Sequence, residues 1–329
     1  MRLLSPETRQ YPLRYVKAVL RHLGPEFWIV SIFPFYISWV WGSGEIFPGW
    51  EWLADNPTHA GQYWAHFVDY LREAWEFWLG IIIVGPLLGG GTVLYDDYYD
   101  AEIDRKNPRK ERKPWYKAPA TPFSVMSAAV FLFVASLILS TTINPQFFAI
   151  STAIIVLALL YSTPLVRLKA RGGMDLVTNM IGFGALCSFA GFVVAAPLAE
   201  YPWLWQVTML AGMGTLYVLT TIADMEADGE SGVPTIAVKL GFEGAVKLAM
   251  VLLLVANISI LSLGLMDYLY SPEVVFLVWP ISILEFLPLM YMLYHRDIDV
   301  IMWVIFATGS LMAIGTLLLA LNHVGIWIP

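Results

Sequence analysis

Residues 80–104 read GIIIVGPLLGGGTVLYDDYYDAEID, an apolar run that passes without a break into a cluster of carboxylates. The run is too long for a buried strand, and continued upstream to Trp75 it has the length of a membrane-spanning helix. If the helix continues through the acidic end, Asp97, Asp100 and Asp104 fall at i, i+3 and i+7 on one face. A second run ends the same way, at Ala223-Asp224-Met225-Glu226-Ala227-Asp228, where Asp224 and Asp228 stand at i and i+4. Stacked carboxylates repel, so each stripe is costly unless a cation binds it. Mg²⁺ suits such a site, because a few carboxylate oxygens hold it while substrate phosphates complete its shell.

Working outward from these segments, hydrophobic residues make up 58% of the 329, far above the soluble average. The pattern predicts an all-α polytopic membrane protein with nine spans around a central cavity. They fall near 26–44, 75–96, 123–142, 147–164, 176–198, 203–223, 244–266, 273–294 and 299–322, and 1–329 reads as one transmembrane domain. Residues 45–74 form the one long loop, and its aromatic stretch 61–74 suits an interfacial helix. The basic, interrupted N-terminus has no signal-peptide pattern.

Charge sets the expected orientation. Eighteen of the 19 Lys and Arg precede span one or follow spans two, four, six and eight, with only Arg72 on the other side. By the positive-inside rule the N-terminus and both acidic motifs face the cytoplasm, and the C-terminus lies outside the cell membrane. Nucleic acid is an unsuitable partner for charge sorted this way. The single cysteine, Cys187, excludes an intramolecular disulfide.

At the cytoplasmic end of span four stands Tyr161-Ser162-Thr163-Pro164-Leu165-Val166-Arg167-Leu168-Lys169. Tyr161 and Ser162 offer hydroxyls, and Arg167 and Lys169 offer cations to phosphate oxygens. A Pro-terminated helix with ordinary positive-inside charge gives the same string. Asn179, inside span five, needs partners for a buried amide and serves either substrate or helix–helix contact. The glycines at 85 and 89–91 are no phosphate loop, since no Gly-Lys-Ser/Thr follows. The five histidines show no metal-ligand spacing.

Together these segments resemble the UbiA superfamily of intramembrane prenyltransferases. Its first motif, Asn-Asp-x-x-Asp-x-x-x-Asp, corresponds to Asp96-Asp97-x-x-Asp100-x-x-x-Asp104, with Asp in place of the leading Asn. Its second is similar to Asp224-x-x-x-Asp228, with Gly232 and Thr235 downstream; Thr221 stands where many members carry a further Asp. The Tyr-Ser-x-Pro segment matches, with Leu165 replacing a common second Pro.

The resemblance implies that Asp96, Asp97, Asp100, Asp104, Asp224 and Asp228 hold Mg²⁺, and that Asp97, Asp100, Asp104, Asp224 and Asp228 act in catalysis. It also implies that Tyr161, Ser162, Arg167, Lys169 and Asn179 bind a polyprenyl diphosphate, whose isoprenyl group passes to a lipophilic acceptor in contact with membrane lipid. The basic stretch Asn107–Trp115 lacks the Arg-Pro, small-residue and Gly pattern of quinone-precursor enzymes and is more similar to carotenoid-elongating members. Quinone precursors and other lipids stay open, as does oligomeric state. A transporter that uses the carboxylates for a translocated cation is the competing reading; it calls for ionisable groups near the bilayer midplane, where the main exception to uncharged spans is Glu285.

Overall fold

Prolines and short polar side chains set where the long helices begin. Pro25, Pro122, Pro145 and Pro272 each occupy the first turn of a helix, where a missing N–H costs nothing. Thr121 and Ser124 form a reciprocal capping box, and Asn144 Oδ1 accepts from Phe147 N at 2.8 Å. The computed structural model describes residues 23–50, 61, 67–104 and 121–326.

Every regular element among these residues is helical. In chain order they are α1 (Pro25–Ser43), α2 (Phe67–Glu73), α3 (Trp75–Ile82), a π-helical segment (Ile83–Gly89) and α4 (Gly90–Asp104). Next come α5 (Pro122–Ile143), α6 (Pro145–Ser162), a short 3₁₀ turn (Leu168–Ala170) and α7 (Met174–Asn179). A second π segment (Met180–Leu186) leads into α8 (Cys187–Ala195), and a 3₁₀ turn (Leu198–Glu200) precedes α9 (Trp203–Glu230). The chain continues through α10 (Ile236–Leu265), α11 (Pro272–Leu284), α12 (Phe286–Tyr294) and α13 (Ile298–His323).

Eight continuous helices among the described residues are long and apolar enough to cross a membrane, beginning with Trp75–Ala101 and ending with Ile298–His323. They match expected spans two to nine. Expected span one falls on α1, which is not among those eight; its 19 residues carry three Trp, three Phe and no Leu. Part of the 61–74 stretch lies outside the described residues; Phe67–Glu73 is helical, as the interfacial reading expects. Two details differ from that reading. Span seven starts at Ile236, ahead of a kink at Gly241 (φ 67°) that only glycine tolerates well. Span eight breaks at Glu285 into α11 and α12. Glu285 is buried there and accepts from Asn257 Nδ2 at 3.0 Å, so this carboxylate of the spans has a structural partner.

Small residues let the spans approach closely, as expected where lipid supplies no hydrophobic drive between helices. A Cβ on Gly191 of α8 would lie 1.8 Å from the Phe35 carbonyl oxygen of α1. Beside that contact Ser38 and Ser188 share a 2.6 Å hydrogen bond, which Tyr201 extends to Ser188 at 2.6 Å. Gly191→Ala is therefore expected to force α1 off α8 and to cost at least about 1–3 kcal/mol. Its melting temperature in detergent should fall; an unchanged value would contradict the contact.

The two π segments bear on function. Pro86 sits inside the first, and its missing N–H breaks the α-helical ladder. In the second, Gly184 approaches the Met209 carbonyl so closely that a Cβ would come within 2.8 Å. Both segments line one narrow cavity of about 70 Å³, together with Ala158 and Tyr161 of α6 and Asn179 and Cys187 at the ends of α7 and α8. Its wall is almost wholly apolar, and π segments of this kind are frequent at functional sites.

Candidate active site at the helix ends

The first acidic motif is an unbroken continuation of span two: α4 runs through Asp104, as its spacing predicts. The second lies within the last turns of α9, which ends at Glu230. What joins them is the loop after α6. Helix α6 stops at Ser162, because Pro164 removes the next donor and Thr163 is already extended (ψ 131°). The chain then turns through Arg167, whose φ of 41° is left-handed, into the 3₁₀ turn that carries Lys169. A non-glycine residue in that region stores roughly 1–3 kcal/mol of strain, a cost that clusters at functional sites.

This strained turn places two cations on the first motif. The Lys169 ammonium bridges Asp96 Oδ1 and, at 2.6 Å, Asp100 Oδ2. Arg167 Nη2 reaches Asp100 Oδ1 at 3.3 Å, and Ser162 Oγ donates to Asp96 Oδ1 at 2.6 Å. Lys169 is buried, with 6% of its surface exposed. Burial by itself depresses its pKa, but the charges of Asp96 and Asp100 and their hydrogen bonds outweigh it and raise the value above that of an ordinary lysine. The ammonium therefore stays charged throughout the physiological range.

The far side of the same loop is fastened to the segment that follows the second motif. A Cβ on Gly172 would meet the Pro234 carbonyl oxygen and the Lys239 side chain at 2.4 Å, and Lys239 Nζ donates to Gly172 O at 3.2 Å. Asp228 caps that segment, taking Val233 N on its backbone oxygen at 2.8 Å and Thr235 Oγ1 on its carboxylate at 3.3 Å. Loop 163–173 thus links the end of α4, which its cations touch, to the segment that follows α9, which its backbone touches.

Of the residues expected to bind the diphosphate, Ser162, Arg167 and Lys169 contact Asp96 or Asp100 of the first motif. Lys169 Nζ lies 5.8 Å from the centre of the Tyr161 ring, so the polar cluster adjoins the apolar cavity. Asn179 lines that cavity and donates to Asp175 O at 2.9 Å. The carboxylate pair held by one cation is Asp96 with Asp100 rather than Asp97 with Asp100; Asp97 is buried at 9% exposure. The basic stretch from Arg105 to Lys117 lies outside the described residues.

Among the described residues no three carboxylate, imidazole or thiol groups gather into a metal-binding cluster. That does not disqualify Mg²⁺, which is commonly held through one or two protein carboxylates with water and phosphate completing the shell. Asp96 and Asp100 already direct oxygens at a single cation, the Lys169 ammonium, which stands in for a metal. The residues present fit the ion.

Two residues escaped the sequence reading. Asp175, fully buried, accepts from Gly173 N at 2.7 Å and Ile236 N at 2.8 Å. Tyr217 on α9 donates to it at 3.3 Å. Neither residue has a local signal, since Asp175 follows two glycines and an exposed Arg171 like any solvated loop acid.

Helical spans, a cation–carboxylate cluster at their ends and an apolar cavity beneath it define a membrane enzyme that handles an anionic head on a lipid-soluble tail. The sequence profile of the UbiA prenyltransferase family matches residues 57–307, and the chain belongs to that family. A lycopene elongase/hydratase of Corynebacterium glutamicum is 25% identical over 257 residues, covering 75% of this chain and 78% of that protein. A digeranylgeranylglyceryl phosphate synthase of Sulfurisphaera tokodaii is 27% identical over 232 residues, covering 67% and 76%. A solved UbiA homologue from Archaeoglobus fulgidus bound to GPP and Mg²⁺ has the same fold, with a TM-score of 0.63 at 19% identity over 92% of this chain and 99% of that one. The protein is an integral membrane prenyltransferase, and the transport reading falls away.

Proposed function

We propose that this chain moves an isoprenyl group from its diphosphate onto a carotenoid-type acceptor, at the junction of the Lys169 cluster and the apolar cavity. The observation that carries it is the buried Lys169 ammonium, with the half-buried Arg167 guanidinium, beside that cavity. The Nε of Arg167 is buried with no hydrogen-bond partner, a donor left for an anion. Asp96, Asp97, Asp100 and Asp104 on one helix and Asp224 and Asp228 on the other would hold Mg²⁺, whose charge when bound stabilises departing diphosphate. Lys169 and Arg167 bind the diphosphate oxygens, with Ser162 as a further donor.

The cavity at about 70 Å³ is smaller than an isoprenyl tail requires, so the tail lies partly between helices toward lipid. The charge bias supports a cytoplasmic site and N-terminus, with the C-terminus outside. The acceptor class rests on the similarity to lycopene elongases and on the Asn107–Trp115 stretch; glyceryl lipids are the runner-up.

Purified protein in detergent, given labelled dimethylallyl or geranyl diphosphate and Mg²⁺, should release diphosphate and carry label into lycopene. A chelator should abolish both. Transfer to a geranylgeranylglyceryl lipid and not to lycopene would overturn the acceptor; no diphosphate release at all would overturn the site. Arg167→Ala should raise KM for the diphosphate roughly 10-fold or more, the loss of about 1.5–3 kcal/mol for a charged hydrogen bond, with a smaller change in kcat. An unchanged KM would place the diphosphate elsewhere.

A further inference from the structure

A buried chain of hydroxyls leads from the apolar cavity to a carboxylate that the proposed reaction has not yet used. Tyr161 lines the cavity. Its hydroxyl lies 3.2 Å from that of Tyr217, which in turn donates to Asp175 Oδ2 at 3.3 Å. A phenol has one proton. Tyr217 uses its proton on Asp175, so the shared Tyr161–Tyr217 bond takes its proton from Tyr161. The Tyr161 oxygen also has the Asn179 side chain as a hydrogen-bond partner, which leaves it one lone pair at the boundary between the cation cluster and the cavity. Asp175 is fully buried and holds its position through two backbone N–H groups, from Gly173 and Ile236.

The chemistry of the transfer needs such a group. When a neutral acceptor attacks C1 of an allylic cation, the new bond leaves positive charge on the acceptor, which must lose a proton. This holds whether the attacking atom is carbon or oxygen. In an apolar cavity water is scarce, so a placed acceptor of that proton is required.

We infer that Tyr161, Tyr217 and Asp175 form a proton relay that completes the transfer. This rests on the reading of the site given above. The C–H or O–H bond of the alkylated acceptor breaks and its electron pair neutralises the cation. The proton goes to the Tyr161 oxygen, the Tyr161 proton to Tyr217, and the Tyr217 proton to Asp175 Oδ2. Both tyrosines end neutral, with the proton on the Asp175 carboxyl. Tyr161 touches the reacting species; Tyr217 and Asp175 act through it.

The relay can be tested without knowing the acceptor. An allylic cation formed from geranyl diphosphate has two exits: water gives an alcohol, and loss of a proton to a base gives a triene hydrocarbon. Wild-type protein with geranyl diphosphate and Mg²⁺ should release diphosphate and form both products. Tyr217→Phe removes one hydroxyl and leaves both backbone donors on Asp175. It should release diphosphate within twofold of wild type, while the hydrocarbon-to-alcohol ratio falls roughly tenfold or more, at or below the low end of what a positioned base contributes. Tyr161→Phe should lower the same ratio whatever its rate of diphosphate release, because the ratio is read among products, and it serves if the first variant does not fold.

An unchanged ratio in a folded variant overturns the relay. So does a parallel fall in diphosphate release in Tyr217→Phe, which marks a structural role, or the absence of hydrocarbon from wild type. Absence of diphosphate release from wild type would instead refute the underlying reading of the site.

Discussion

Asp100→Ala is expected to lower turnover by at least about 10³-fold, the scale on which loss of one placed electrostatic group acts in a transition state. The same change should leave the protein folded. Lys169 keeps its contact with Asp96, and Arg167 is partly exposed at 31% of its side chain. Neither cation is orphaned as in a broken buried pair, for which the cost is roughly 3–5 kcal/mol. Asp224→Ala should match it in turnover. Asp96→Asn should be far milder, because an amide oxygen still accepts from Ser162 and Lys169 still faces Asp100. Diphosphate release measured on the three purified variants checks the ranking. Substantial activity in Asp100→Ala would remove the first motif from the chemistry.

Asp175→Ala should give the largest loss of stability of the substitutions at this end of the bundle. The carboxylate satisfies Gly173 N–H, Ile236 N–H and the Tyr217 hydroxyl in a site without solvent. Leaving a buried donor unpaired costs about 1–3 kcal/mol each, so a total near 3 kcal/mol and a fall in melting temperature of about 5 °C or more are expected. Activity should fall as well. Loop 163–173 and the start of α7 would lose their register against Ile236, and with it the position of Lys169 over the first motif. Asp175→Asn should recover only part of the loss, since its NH₂ faces one of two backbone donors. A melting curve equal to wild type would show that the loop is held by Gly172 and Lys239 alone.

Much of this was legible in the chain itself. Membrane residence, the helical class and the span positions follow from local rules, because in lipid each backbone must bond within its own helix and apolar length then reports crossing. The two acidic motifs could be read for the same reason, since the residues at i, i+3 and i+4 share a face on any helix. The breaks at Glu285 and the π segment around Pro86 were less legible, because proline and packing adjust a ladder without changing its hydropathy.

The tertiary structure alone decided which residues meet. Lys169 reaches Asp96 across 73 positions, Ile236 reaches Asp175 across 61, and Tyr161 reaches Tyr217 across 56. Contacts of that range depend on which spans are neighbours. Here that is set by close approaches such as Gly191 to Phe35 and Gly172 to Pro234. A carboxylate in the first turn of a short helix and a tyrosine in an apolar span are ordinary in the sequence. They become a chain of hydrogen bonds only because packing excludes water and leaves the polar atoms only one another as partners.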